Sequence, residues 1–399
     1  MEETQTAIVN SIQQISLSSP PPQPVTDAGF WSRLEIDFVL TEILPKLPSK
    51  SLIRYKSVSK SFKTLISSPS FIRRHLRESI SSSTNRLLVI PSTSSVLYIF
   101  NLDPPSSVAS ATFRWSEGDI SVVGACNGLI LITCYVATLM ILNPSTRTYV
   151  DIIWASRSDN FGFGFDEATE DYKIVNVSDV HSGNGNVVKK RITTVYSVNL
   201  GTWKVVDQML PDDSMEDRFG GVLIDNCLLH WMFWSPSKKK RRIGCFDIRV
   251  EKWVDDVMLP EYYYNSEQKK YLLDFGVVDG RLFSSFENRV SSCYDVWVMK
   301  VYGVSESWVK LSSVAISENL TGGVVPVASR GVDSSVVLLR QRHRSKLFWY
   351  NKENGAISVA KVPSFWNLQP YVCKGSLVDL PGAKLFGDVY ERPPAPQQE

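Results

Sequence analysis

The sequence predicts an α+β multidomain chain, with a small helical module towards the N-terminus and an all-β domain after it. Three observations carry this reading. Between residues 36 and 66 apolar side chains recur at helical spacing. From about residue 85 the pattern changes to β-branched and aromatic runs of four to eight residues, punctuated by Gly, Asn and Asp. Those runs then recur as a four-stranded unit every 42–56 residues, the signature of a β-propeller. A length of 399 residues suits two or three domains with a large core.

Residues 1–29 are rich in Ser, Pro and Gln (SLSSPPPQP) and read as a disordered tail. The helical module follows at 30–76. Ile36, Val39, Leu40, Ile43, Leu44 and Leu47 form one apolar stripe of a first helix, which Pro45 should end or kink near Leu44. Ser49 can cap a second helix carrying Leu52, Ile53 and Tyr55. Ser59 can cap a third, whose Phe62, Leu65 and Ile66 share a face before Ser67, Ser68 and Pro69 stop it. Phe71 to Leu76 reads as a short helix leading out. Such a segment buries too little surface to stand alone and needs a partner or an adjoining domain. It is also basic: nine Lys/Arg against Glu35, Asp37 and Glu42 give residues 30–76 a local +6 in a chain of net +2. That suits an acidic partner surface, while the near-neutral whole excludes a global attraction to nucleic acid or membrane.

The stretch EILPKLPSKSLIRYKSVSKSF at 42–62, continued by LISSPSF at 65–71, closely resembles the F-box of plant F-box proteins. The resemblance implies docking on the Skp adaptor of an SCF ubiquitin ligase, and through it on the cullin and RING subunits. Carried over position by position, it assigns Ile43, Leu44, Leu47, Pro48, Leu52, Val58 and Phe62 to forming or supporting the adaptor-facing surface. There is one departure. The family usually opens with Leu-Pro, an acidic residue and Leu, where this chain has Glu35, Ile36, Asp37, Phe38 and Val39. Losing one such apolar contact weakens adaptor binding by about 1–3 kcal/mol.

In the repeats, one strand meets a second across a tight turn: VVGAC-NG-LILITC, GVLI-DN-CLLHWMFW and DFGVV-DG-RLFSSF. A third strand follows a longer loop (LYIFNLD, LMILNP, VYSVNL, IGCFDI, LFWYN). A fourth commonly opens on an aromatic, as at Tyr149, Trp203, Trp253 and Trp308. Six units result, at about 86–115, 120–153, 161–207, 219–258, 272–310 and 323–360, with a seventh, atypical blade left open. The first lacks an innermost strand and YVCKGSLVDL at 371–380 is spare. The C-terminal strand is therefore expected to complete the first unit and close the ring, giving a β domain over 85–380 and a tail over 381–399. An F-box followed by VVGACNGLI, LNPSTR, FGFGFD and YDVWVM resembles the plant F-box-associated domain, a divergent kelch-like propeller.

Several groupings look chemical and read as structural. GFGFD at 162–166 lacks phosphate-loop spacing and a following helix, so its glycines are assigned to close strand packing. Asp212, Asp213, Glu216 and Asp217 have no partner His or Cys nearby and read as a solvated loop. Six cysteines without CxxC or Cys/His pairing read as buried reduced thiols of a cytoplasmic or nuclear protein. Four dispersed histidines give no zinc site, and no metal or cofactor is expected. The eleven tryptophans read as blade core. LILITCYVATLMIL at 129–142 looks membrane-like, but Asn127-Gly128 and Asn143-Pro144 mark it as short strands, so membrane insertion is not expected. Glu2 and Glu3 replace the basic opening of a secretory signal.

In a four-stranded blade the first–second and third–fourth turns lie at one end, the second–third loops and inter-blade links at the other. The first class reads as short everywhere. Three of the longer class are basic: VVKKR at 187–191, SKKKRR at 237–242 and RQRHRSK at 340–346. Lys189, Lys190, Arg191, Lys238, Lys239, Lys240, Arg241, Arg242, Arg340, Arg342 and Arg344 are thus candidate substrate-binding residues, suited to an acidic or phosphorylated protein. As solvated hairpin tips they would merely suppress edge pairing, and 237–242 also resembles a nuclear import signal. The leading functional reading is a non-catalytic substrate receptor of an SCF ligase, recruiting a protein for ubiquitination and proteasomal degradation. An F-box protein acting by binding alone, or a propeller lectin or enzyme, remain alternatives.

Overall fold

The computed structural model describes residues 38–387 except 83–85, 93–94, 103–108, 110, 116–119, 135–137, 155–159, 182–187, 210–213, 216–220, 236–239, 265–269, 317–319, 321, 331–334, 343–345 and 361–369. The tail expected at 1–29, the opening of the helical module through Asp37, and Asp212, Asp213, Glu216 and Asp217 lie outside the described residues. The chain divides into two units. One is helical and includes Gly375–Leu377; the other holds the sheets and resumes at Val378.

In the helical unit, Val39–Ile43 winds as a π-helical turn and tightens into a 3-10 turn at Leu44–Lys46. Pro45 has no N–H to donate, so the helix ends there, as the sequence suggests. α1 (Ser49–Tyr55) opens on Pro48 at φ −56° without a side-chain cap. Ser49 lies inside the first turn and is buried, which corrects the capping role expected of it. α2 (Lys60–Ile66) starts as expected at Ser59, whose Oγ accepts from Phe62 N at 3.2 Å. α3 (Pro69–Ser81) is longer than the sequence indicated. Ser68 Oγ donates to Leu65 O at 2.7 Å and accepts from Phe71 N at 3.3 Å, so the break that ends α2 also caps α3. The unit therefore continues past the boundary expected at 76. Its buried core is Leu44, Leu52, Phe62, Ile66 and Phe71 together with Leu377. Ser79 Oγ donates to Gly375 O at 3.3 Å, so a distant segment completes the module. Buried His75 donates Nε2–H to Leu47 O at 3.1 Å; burial lowers its pKa despite that bond, so the ring is neutral.

The described residues of the other unit form six antiparallel sheets. The first contains β1 (Arg86–Ser92), β2 (Val96–Asn101) and β3 (Ala111–Arg114). The second contains β4 (Ile120–Cys126), β5 (Leu129–Cys134), β6 (Thr138–Asn143) and β7 (Thr148–Ile153), and the third β8 (Phe161–Asp166), β9 (Asp171–His181), β10 (Val188–Ser197) and β11 (Thr202–Met209). In the fourth, β12 (Ser214–Met215) and β13 (Val222–Ile224) share the innermost place beside β14 (Leu228–Ser235), followed by β15 (Lys240–Asp247) and β16 (Lys252–Val257). After the one-turn α4 (Glu261–Tyr264), the fifth contains β17 (Lys270–Val278), β18 (Arg281–Asn288), β19 (Cys293–Met299) and β20 (Trp308–Ala315). The sixth contains β21 (Val324–Arg330), β22 (Val336–Gln341), β23 (Leu347–Asn351) and β24 (Ile357–Val359).

β25 (Tyr371–Lys374) pairs with β1 from Arg86↔Lys374 to Val89↔Tyr371, supplying the strand the first unit lacks. Gly375–Leu377 then belongs to the helical unit, and Val378 O accepts from Asn143 Nδ2 at 2.8 Å back in the second sheet. β26 (Lys384–Leu385) adds a fifth strand beside β7. The segment expected to be a tail from 381 is therefore partly built in. Phe386 lies 5.1, 5.3 and 5.6 Å from the rings of Phe113, Trp115 and Tyr149, and burying one aromatic outweighs the polar, Pro-rich surroundings that made it read as a tail.

Buried clusters fill the gaps between neighbouring sheets, including Phe100 and Leu102 of the first with Leu338 and Trp349 of the sixth. That succession, last sheet packed on first, is an all-β propeller. GFGFD plays its packing role. A Cβ on Gly162 would stand 2.8 Å from the Leu229 side chain, and one on Gly164 2.7 Å from Asn226 O. The third and fourth sheets are also joined by charge: buried Lys173 Nζ meets Asp166 at 2.9 Å, Glu251 at 3.0 Å and Ile248 O at 3.1 Å. Burial alone would raise the Asp166 pKa, but hydrogen bonds from Lys173, Thr169 and Ala168 N together hold it below its ordinary value. LILITCYVATLMIL supplies β5 and β6, Trp231 is wholly buried, and the six cysteines are free and buried.

Candidate functional site

Alternating strand direction puts the end of β9, β14 and β22 and the start of β10, β15 and β23 on the same side of their sheets. Lys238, Lys239 and Arg344 lie outside the described residues, and Lys189 lies in β10. The others sit on or beside strand ends, and the arginines are held by internal partners. Arg191 is only 2% exposed, its guanidinium 4.8 Å from the Phe233 ring. Arg242 stands 4.7 Å over the same ring and pairs with Asp256. Arg241 donates to Tyr263 OH at 2.9 Å and covers Trp234 at 5.7 Å. Arg340 meets Asp274 at 3.1 Å, and Arg342 reaches the same carboxylate at 3.9 Å.

This corrects the reading of these residues as free loop charges. Arginine's planar head packs on aromatic rings and its stem on apolar surface, so a basic run at a strand end can serve the fold. Arg191 is too buried to meet a partner. Exposed Lys240 and half-buried Lys190 remain at the surface.

Sequence reasoning missed one group that is assembled across sheets. Asp274 of β17, Arg340 of β22 and Tyr371 of β25 come from three sheets. Burial pushes the Tyr371 phenol up to about 12, with Arg340 opposing and Asp274 adding. Burial likewise lowers the Arg340 pKa from its ordinary value, against the pull of Asp274. The available signal was an aspartate inside the apolar run YLLDFGVV, where a bulge after Leu272 re-aims the strand.

In the helical unit, Leu44 and Leu52 are wholly buried and Phe62 nearly so; they hold the module together rather than facing outward. Ile43 and Leu47 are half-buried, while Pro48 and Val58 are exposed. Phe38 and Ile80 are further exposed apolar side chains, the latter on the part of α3 beyond the expected end of the module. Glu42 pairs with Arg74 at 2.8 Å and Lys46 at 3.9 Å, which tempers the module's positive charge.

A helical module of this pattern joined to a propeller defines an F-box protein with an associated interaction domain. Residues 31–74 match the F-box domain, and residues 88–378 match the F-box associated beta propeller domain. The chain belongs to this family of F-box proteins with an F-box associated β-propeller domain. It is 27% identical over 383 residues to F-box protein CPR1 of Arabidopsis thaliana, covering 86% of this chain and 90% of that protein. F-box protein At4g22390 of the same plant is 25% identical, with 81% and 85% covered. Its F-box/kelch-repeat protein At3g23880 is 28% identical, with 79% and 87% covered.

Proposed function

We propose that this chain is the substrate-recognition subunit of an SCF ubiquitin ligase. The helical unit docks on the Skp adaptor, and through it on the cullin and RING subunits, while the propeller holds a protein marked for ubiquitination and degradation. The observation that carries the reading is the union, in one chain, of a segment matching the F-box with a segment matching its associated propeller. The chain itself is non-catalytic; its contribution is the effective concentration of acceptor lysines near the loaded ubiquitin. We read the six sheets as six blades, and the end bearing Lys190, Lys240 and the Asp274–Arg340–Arg342 group as the substrate face. An acidic or phosphorylated segment suits it. The reading puts the protein in cytoplasm and nucleus, supported by six free thiols and the Lys/Arg run at 237–242.

Comparing ubiquitinated proteins in cells with and without the chain tests this reading. Substrates should lose ubiquitin on deletion and on Pro48→Ala with Val58→Asp, and capture by the Lys190→Ala, Lys240→Ala chain should weaken most at low salt. An unchanged ubiquitin profile, with substrates still captured, would favour an F-box protein that acts by binding alone. The departure from Leu-Pro at Glu35–Ile36 is the feature that favours this second reading.

A further inference from the structure

Arg340 and Arg342 converge on a single oxygen of Asp274. Arg340 donates to Oδ2 at 3.1 Å, and Nε of Arg342 stands 3.9 Å from the same atom. The carboxylate comes from β17 of the fifth sheet, the two guanidiniums from the end of β22 in the sixth and the residue just past it. The Arg342 stem is held in place. Its backbone N donates to Gly323 O at 3.0 Å, and its Cδ lies 3.3 Å from where a Cβ on Gly323 would stand. Gly323, at φ 102°, is therefore the residue that lets the arginine lie against the start of β21.

The two arginines are not used equally. Arg340 is the deeper, with 13% of its side chain in solvent, and holds the Asp274 carboxylate by a charged hydrogen bond. Arg342 keeps 23% of its side chain in solvent, and its guanidinium makes no hydrogen bond among the described residues. Burial lowers the Arg340 pKa, Asp274 counters, and Arg342 adds to the lowering, so one carboxylate leaves two neighbouring cations only partly neutralised. The three side chains together carry one positive charge. A carboxylate can touch both guanidiniums at once, as Asp274 already does.

We propose that Arg342, backed by Arg340, clasps a carboxylate of the bound protein segment, supplied by an Asp or Glu side chain or by a chain terminus. This rests on the reading of this end as the substrate face and narrows it from acidic or phosphorylated to carboxylate-bearing. A carboxylate brings one negative charge, which matches the surplus and satisfies the N–H groups that Arg342 leaves unused. A phosphoserine brings about −1.5 to −2 at pH 7 and sets the excess against Asp274. With its stem already fixed on Gly323, Arg342 loses little freedom when the segment binds.

Saturation-transfer NMR on the full chain tests this with small probes. N-acetyl-glutamate α-amide offers a side-chain carboxylate and N-acetyl-alanine a terminal one; N-acetyl-phosphoserine amide and the uncharged N-acetyl-glutamine amide are the comparisons. At least one carboxylate probe should bind saturably, about threefold or more tighter than the phosphoserine probe and about fivefold or more tighter than the glutamine probe. The tighter of the two carboxylates identifies its source. Arg342→Gln should abolish the preference with the unfolding transition unchanged, and Arg342→Lys should recover part of it. Carboxylate probes no tighter than the glutamine probe, a phosphoserine probe that binds as tightly or tighter, or a preference that survives Arg342→Gln would overturn the assignment. These are binding readouts on the purified chain, so they stand or fall separately from the ubiquitin comparison in cells.

Discussion

The buried core of the helical unit comprises six side chains, Leu44, Leu52, Phe62, Ile66, Phe71 and Leu377, whereas the propeller distributes its core among the gaps between successive sheets. The first core is small and borrows one member from more than three hundred residues away. The second is large, and each sheet leans on two neighbours. The two also differ in charge: the helical module carries a surplus of basic residues, while in the propeller Arg191, Arg242, Arg340 and Arg342 are drawn into stacking and pairing. A local motif thus defines the helical unit without completing it, and repetition defines the propeller without showing where its ring closes.

The sharpest way to break this comparison is to end the chain before Tyr371. That removes β25, Leu377 and Phe386 together, so both cores should fail: calorimetry should show no cooperative transition, and adaptor capture should vanish. A soluble, cooperative truncation would refute the closure through β25.

Next in size is Lys173→Met, which leaves buried Asp166 without its cation while half-buried Glu251 keeps Lys204. Breaking such a group costs about 3–5 kcal/mol. Chemical denaturation should show that loss in the propeller, with adaptor binding unchanged.

Leu377→Ala separates the units in the other direction. Truncating a fully buried leucine costs about 2–5 kcal/mol, here in the helical core. Adaptor affinity should fall while the propeller transition, followed by tryptophan fluorescence, stays put. A shift confined to the propeller would show that Leu377 serves the sheets instead.

Acid should sharpen the contrast further. Burial lowers the pKa of His230 to about 4 from 6.5 against its backbone hydrogen bonds. Between those values the unfolded chain takes up a proton that the folded one refuses, so stability falls as pH drops from about 6.5 to about 4 and this loss then levels off. A shift of that size corresponds to about 3 kcal/mol. Denaturant titrations across that range should show the loss in the wild-type chain and a shallower slope for His230→Gln.

The parts legible in sequence were those encoded over a few residues. Ser59 announces α2 because a hydroxyl before an apolar stripe caps a helix. Asn127-Gly128 and Asp279-Gly280 announce hairpins because such pairs adopt positive φ, as they do here at 52°, 79°, 48° and 75°. Leu377 and Phe386 were not legible. Each lies in a stretch too short for periodicity, and its partners are Phe62 and Ile66 in one case, Phe113 and Tyr149 in the other. The basic runs showed their charge and their common end of the sheets but not Phe233, Asp256 or Asp274, because the aromatic and acidic neighbours come from other strands.

The central claim is that the helical unit docks on a Skp adaptor, and isothermal titration of the purified full chain with purified adaptor tests it most directly. Saturable one-to-one binding is expected. It should weaken at least about tenfold, or 1.4 kcal/mol, in a Pro48→Ala, Val58→Asp chain whose unfolding is unchanged, and should be indifferent to Lys240→Ala. No binding by a correctly folded full-length chain, or undiminished binding by the Pro48→Ala, Val58→Asp chain, would contradict the account.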